Sequence, residues 1–284
     1  MIWLYINTIR KEYGEDAAKE LALFQAKQVY AMKEVVQKEK LDCDLVLTRV
    51  CEAYISQSHA DEMMAIYQQI LDDGPDFIQD VDYVAPKYAE RLSGIRNAKA
   101  AFTTTAAQLW PYKFVSSLLA RLLERTSINV QTHTPVTSIS NCHNGSSLVG
   151  TPRGSVRAKR VVFATNAYTA GIAHTYSEII ITVKATCSHI RTPKDTQYPP
   201  PHLTQTYGLS FGTGQGIRDY LIPRPDGGVI CGGAKDTYIE NKKLWWNNFD
   251  DSTLIEPARK HFETVMQDNF RGWEKSGAFV DYMW

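Results

Sequence analysis

The run RAKRVVFATNAYTAG, Arg157 to Gly171, sets basic residues ahead of four uncharged, mostly apolar ones, Val161 to Ala164, and follows them with Thr165 and Asn166. An apolar, partly β-branched and aromatic run of this kind suits a strand buried on both faces, as in the parallel sheet of an α/β domain. Open α/β sheets place ligands in the crevice beyond the carboxyl ends of their strands. Thr165 and Asn166 therefore stand where a nucleotide would be met. Asn and Thr also close turns and cap helices, and the run alone leaves both readings open.

Upstream, Pro152-Arg153-Gly154 separates two strand-like runs and predicts a β-hairpin. Further back, PYKFVSSLLARLLERT begins with a proline suited to a first helical turn and repeats Phe114, Leu118, Leu119 and Leu122 along one side. The stretch from Glu15 to about Lys40 spaces Ala18, Leu21, Phe24, Met32 and Val36 as an amphipathic helix. A strand-forming run around DCDLVLTRVCEAYISQ follows. The next helix is predicted to begin near Ser58 and Asp61 and to stop near Gly74, with Met63, Met64, Tyr67, Ile70 and Leu71 as a core stripe. Residues 77–104 read as irregular, with a short helix at APKYAERLSG and a strand near AKAAFTTT.

Downstream the chain is mainly strand. EIIITVKATCSHIRT leads to a proline-rich connection, then to RDYLIPRPDGGVICGGA, where Asp226-Gly227 signals a tight hairpin, and a last helix is predicted from about Leu254 to Asn269. The sum is a mixed α/β (α+β) chain without tandem repeats or low-complexity tracts.

Composition narrows the function. The 284 residues are 44% hydrophobic, enough for a real core, and 31 basic residues balance 31 acidic ones. A balanced surface has no excess charge with which to attract nucleic acid or an anionic membrane, so a small-molecule partner is expected. Five scattered cysteines, never spaced C-x-x-C, predict neither a disulfide framework nor a zinc site and fit a reducing, cytoplasmic setting. No metal site is expected. The opening MIWLYINTIRKEYG carries its charge on the wrong side for a secretory signal, and Asn144-Gly145-Ser146 reads as a turn. The strings of zincins, serine hydrolases and P-loop enzymes are missing. The nearest thing to a dinucleotide fingerprint, GTGQGI from Gly212 to Ile217, has isoleucine in the third glycine position and reads as a flexible loop.

Taken together, YGEDAAKELALFQAKQVYAMKEVV, LDCDLVLTR, QLWPYKFVSSLLARLLE, VQTHTPVTSI, KRVVFATNAYTAGI, DYLIPRPDGGVICGGA and GWEKSGAFVDYMW resemble the FAD-dependent oxidoreductases of the D-amino acid oxidase and sarcosine oxidase superfamily across nearly the whole chain. The resemblance implies part of an FAD-binding domain, about 105–175, and an antiparallel-sheet substrate domain, about 40–104 and 176–270. It implies that Val136, on the PVTSI strand, and Ala164, Thr165 and Asn166 line the flavin nucleotide. It places the glycine fingerprint upstream of Met1 and a second flavin-contacting segment beyond Trp284, so the chain reads as the middle of such a protein, truncated at both ends. Four lost contacts of ~1.5 kcal/mol each would weaken FAD retention by roughly four orders of magnitude.

The expected activity is oxidation of a carbon–nitrogen bond in an amine or amino acid by hydride transfer to FAD. On the substrate side Tyr220 and Arg224 are candidates, Arg224 as partner of a carboxylate; either can equally serve the core or the hairpin. Trp110 reads as packing or recognition. Lys184, Ala185 and Thr186 stand where the family commonly has a Pro-Val-Arg-Gly-Gln run, Lys for Arg keeping the charge but losing the planar fork, and Cys231 falls close to the place where sarcosine oxidases keep an oxygen-activating lysine. The alternative is a non-redox relative that binds a small molecule or a partner protein, as an accessory in a biosynthetic pathway.

Overall fold

The computed structural model describes residues 3–74, 78, 80–212 and 218–284. GTGQGI from Thr213 onward lies outside them. The chain divides into two units: residues 1–121, 186–238 and 254–284, and residues 122–185 and 239–253.

The first unit opens with helices α1 (Trp3–Tyr13) and α2 (Glu15–Glu39), then β1 (Val46–Tyr54), α3 (Gln57–Asp73), β2 (Asp82–Val84), α4 (Pro86–Ser93) and β3 (Ala100–Gln108). Helix α5 (Pro111–Arg125) follows. The turn residues behave as their chemistry requires. Pro86 occupies the first turn of α4, where its missing N–H costs nothing, and Gly94 ends the helix at φ 71. Helix α3 ends at Gly74, and its N-cap is Ser56, two residues before the expected Ser58. Of the predicted α3 stripe, Met63, Tyr67, Ile70 and Leu71 join Ile6, Ala18, Ala22, Tyr54 and Phe102 in one apolar cluster that does not include Met64, and Phe24 of α2 stays exposed.

In the second unit β4 (Ser138–Asn141), β5 (Ser147–Thr151) and β6 (Gly154–Ala158) form a three-stranded antiparallel meander. The Pro152-Arg153-Gly154 hairpin is present. Asn144 closes the preceding turn, its side-chain oxygen accepting from the Ser146 N–H and hydroxyl, with Gly145 at φ 76.

The first unit resumes with β7 (Cys187–Arg191), β8 (Thr206–Ser210), β9 (Arg218–Pro223), β10 (Val229–Gly232), α6 (Arg259–Asn269) and β11 (Phe279–Met283). Its eight-stranded sheet runs β11-β7-β10-β9-β8-β1-β3-β2 and is antiparallel except between β1 and β8. Asp226-Gly227 forms the β9–β10 turn, with Gly227 at φ 84. One sheet face carries buried Leu209, Leu221, Cys231 and Ile190; helix α6, which lies against β7 and β11, buries Phe262, Val265 and Met266. On the other face the α1–α3 cluster covers Tyr54, Ala100 and Phe102, while Arg218 and Tyr220 of β9 remain open.

Three expectations need correction. Val161–Ala164 forms no strand and pairs with none among the described residues, and Val162 is 87% exposed. An apolar run becomes a buried strand only with partners on its edges, and none of the described strands lies beside it. The long strand expected over EIIITVKATCSHIRT contracts to Cys187–Arg191, its earlier part bonding only through an isolated bridge between Val183 and Trp246. Val136, expected on the PVTSI strand, precedes β4.

Candidate active site

The open sheet face is organised by strand register. Glu52 of β1 lies opposite Gly208 of β8, Gly208 opposite Tyr220 of β9, Tyr220 opposite Gly232 of β10, and Gly232 opposite Cys187 of β7. Side chains on one row of a sheet point to the same face, so two glycines alternate with three functional side chains. The glycines are needed for space. A methyl group at Gly208 would fall 2.0 Å from Glu52 Oε2, and one at Gly232 would fall 2.3 Å from Tyr220 Cζ. Glu52 thus leans across Gly208, and the Tyr220 ring covers Gly232.

In the adjoining row Tyr54, Ser210 and Arg218 are partners. Arg218 Nη1 donates to Glu52 Oε2 at 3.3 Å; the Glu52 side chain is buried, whereas 39% of the Arg218 side chain is exposed. Burial pushes the Glu52 carboxyl above the usual carboxylate range, and the Arg218 charge opposes that rise. Ser210 and the His59 Nδ1 atom meet at 2.8 Å, and the His59 ring stands edge-on to Tyr54.

The Tyr220 hydroxyl lies 2.8 Å from the Cys187 sulfur. Burial raises both groups above their ordinary range, so Tyr220 is a neutral phenol that can donate or accept a hydrogen bond. Arg224 is placed differently. It lies over the Trp110 ring at 4.7 Å, approaches Asp226 at 3.8 Å, and lines a cavity of about 330 Å³ with Arg191, Lys194 and Trp273, a lining that does not include Tyr220. Trp110 also receives Lys113 at 5.1 Å, so its indole packs between two cations. Cys231 is fully buried on the packed face, its thiol pushed well up by burial, and is not presented beside Tyr220.

The remaining predicted residues belong to the second unit. Ala164 and Asn166 are exposed, Val136 and Thr165 half-buried, and no hydrogen bond among the described residues joins Val136 to 164–166. Among the described residues, the N–H groups of Val161–Asn166 meet no backbone acceptor. Asn166 takes a left-handed backbone at φ 45 and opens a short 3₁₀ helix, Asn166–Gly171. Thr165 and Thr169 share a hydroxyl contact at 2.9 Å. Free amide donors beside apolar side chains suit the polar and ring portions of a nucleotide. Lys184 Nζ donates to the Thr253 hydroxyl at 2.9 Å within this unit.

The sequence profile of the FAD dependent oxidoreductase family matches residues 5–284. The chain belongs to that family. No curated protein matches it in sequence. Among solved structures it is similar to glycine oxidase from Geobacillus kaustophilus (TM-score 0.67, 16% identity, 94% of this chain and 65% of that one). It is also similar to L-proline dehydrogenase from P. horikoshii (0.69, 15%, 97% and 68%). A third is the dithionite-reduced L-α-glycerophosphate oxidase of Mycoplasma pneumoniae with FAD bound (0.63, 14%, 92% and 66%). The chain thus spans about two thirds of each of these three proteins. At such identities the likeness is one of fold, and the mixed sheet plus the smaller antiparallel sheet is the flavoprotein architecture they share.

Within this FAD dependent oxidoreductase fold, Glu52, Arg218, Gly208, Gly232 and Cys187 were not singled out from sequence. Two signals were present: Glu52 is the one acid in the strand VLTRVCEAY, and Arg218 alternates with Tyr220 in RDYLIP. Neither shows that β1 and β9 flank the same central strand. No helix among the described residues is long and apolar enough to cross a membrane, and no metal-ligand cluster occurs among them.

Proposed function

We propose that the chain is the larger part of an FAD-dependent oxidoreductase that oxidises the carbon–nitrogen bond of an amine or amino acid. The observation that carries this reading is the open sheet face, where a neutral Tyr220 phenol stands beside an Arg218–Glu52 pair in a chain of this family. Bound FAD would supply the hydride acceptor. Catalysis of this type depends on placement and on a suitable electrostatic environment more than on an acid–base residue. The sheet face offers both: Tyr220 presents a hydrogen bond, the bare glycines let Glu52 and the Tyr220 ring lie close over the sheet, and the surrounding strands hold these groups in register.

In this reading the first unit carries the substrate surface, and Val136, Ala164, Thr165 and Asn166 of the second unit hold FAD. The amides of Val161–Asn166, which meet no backbone acceptor among the described residues, and the left-handed Asn166 support that assignment. Glycine oxidase and L-proline dehydrogenase among the similar folds favour an amine or amino acid substrate. A cytoplasmic site of action is part of the same proposal.

The test is the visible spectrum of the purified protein with and without added FAD. Flavin absorbance that bleaches when an amino acid or N-methylated amine is added without oxygen is the expected result. A colourless protein that ignores micromolar FAD would overturn it and favour the non-redox alternative.

A further inference from the structure

We propose that the cavity of about 330 Å³ at the hairpin end of the first unit's sheet is a binding site for a phosphate monoester, separate from the substrate surface around Tyr220. Strand register gathers its two arginines. Ile190 pairs with Val229, so Arg191 stands at the level of Gly228, whose carbonyl accepts the Arg224 N–H at 2.8 Å across the turn. Tyr220 lies four residues before Arg224 in the chain, ~13 Å away at the rise of a strand.

The cations of this cavity are uncommitted. Neither guanidinium, nor the Lys194 ammonium, makes a side-chain hydrogen bond among the described residues; the carboxylates facing the arginines stand at 3.7 Å, Asp281 to Arg191, and 3.8 Å, Asp226 to Arg224, beyond hydrogen-bond distance. Both acids are engaged elsewhere. Asp226 Oδ1 accepts the Gly228 N–H at 3.0 Å within the turn, and Asp281 Oδ2 meets His189 Nδ1 at 3.2 Å. Arg224 is braced by the Trp110 ring at 4.7 Å. Trp273 adds a further donor to the wall: the residue is 4% exposed and its indole N–H has no acceptor among the described residues, a costly state that an incoming oxygen would relieve.

Charge and shape select the ligand. Three cations, Arg191, Lys194 and Arg224, face one carboxylate, Asp226, in the lining, and an excess of two positive charges suits a phosphate dianion better than a single carboxylate. Five of the lining residues are prolines, which carry no N–H and hold φ fixed, so the rest of the wall is apolar and stiff. That wall is also pinned. The Thr196 hydroxyl donates to the Ser276 carbonyl at 3.0 Å, and a methyl group on Gly272 would fall 2.8 Å from Pro201 Cδ. A space of about 330 Å³ is more than one phosphate group fills, and it leaves room for a small apolar or ring-bearing ester group against the prolines.

The experiment is calorimetric titration of the purified full chain with phenyl phosphate, inorganic phosphate and benzoate at constant ionic strength. It uses the wild type, Arg191→Gln/Lys194→Gln, and as a control Lys242→Gln/Lys243→Gln, which removes two exposed charges from the other unit. Expected are one saturable site for phenyl phosphate, at least fivefold tighter binding of it than of either other ligand, at least tenfold weaker binding by R191Q/K194Q, and no change in the control. Unchanged phenyl phosphate affinity in an R191Q/K194Q protein whose melting temperature matches the wild type would overturn the inference. Inorganic phosphate or benzoate binding as tightly as phenyl phosphate, or an equal loss in the control, would overturn it as well. Excess FAD should leave phenyl phosphate binding unchanged, and displacement by FAD would overturn the separation of this site from the cofactor's. None of these readings needs bound flavin or turnover, so the proposed function stands or falls separately.

Discussion

The ring of Tyr220 lies across Gly232 so closely that a methyl group there would fall 2.3 Å from Tyr220 Cζ, while the Tyr220 hydroxyl touches Cys187 at 2.8 Å. Gly232→Ala should therefore lift the ring and uncover the Cys187 thiol. In a Cys142→Ser background, alkylation of Cys187 by a water-soluble reagent should quicken severalfold, because exposure removes the burial that holds its thiol up. An unchanged rate would show that the ring finds another place over the strand.

His261 and Asp219 make a second close pair, with Nε2 2.5 Å from Oδ2 and Asp219 almost fully buried. Burial by itself pushes the imidazole down; the Asp219 hydrogen bond and charge outweigh it, and the net direction is up. A folded-state value above the unfolded one, about 6.5, means that the pair's contribution is complete below that pH. It is lost as pH rises through the folded-state value. His261→Gln should cost about 3 kcal/mol at pH 6, since it weakens the pairing of a buried carboxylate, and less at pH 9. Urea denaturation at the two pH values measures this. An equal cost at both would remove the charge from the explanation.

The apolar cluster under α1–α3 centres on Phe102, whose ring meets Tyr54, Tyr67 and Tyr83 at 5.8, 5.3 and 5.2 Å between centroids. Phe102→Ala should destabilise the first unit by ~3–5 kcal/mol. The loss should appear as a lower urea midpoint, and a shift below about 1 kcal/mol would mean that the cluster collapses to fill the space.

Asn166→Gly keeps the left-handed backbone, which glycine adopts freely, and removes the side-chain amide. Retention of FAD after gel filtration should fall without a change in melting temperature. Undiminished retention would remove the Asn166 side chain from the cofactor site.

Local chemistry made much of the fold legible. The α2 and α3 stripes, Pro111 at the start of α5, the two hairpins and Gly94 are decided by residues within a turn or two of one another, and the structure places them close to where their periodicity and turn residues predict. Tyr220 was singled out through the family resemblance, with a place in the core left equally open, and the structure sets it on the open face of β9. The Val161–Ala164 run shows the limit: its composition is that of a buried strand, but burial depends on neighbours that no local pattern supplies.

The site depended on more distant relations. Glu52 and Arg218 are 166 residues apart, and each is an ordinary charged residue in its own segment. The amino-acid sequence by itself determined most helices, the two hairpins and the family, because these follow from side-chain period, backbone preference and the combination of motifs along the chain. Only the tertiary structure decided that β8 lies between β1 and β9, in a register that sets Glu52 and Tyr220 on either side of Gly208. Pairing register between distant strands is fixed by the packing of the whole sheet, and a slip of one residue would have turned every one of these groups to the opposite face.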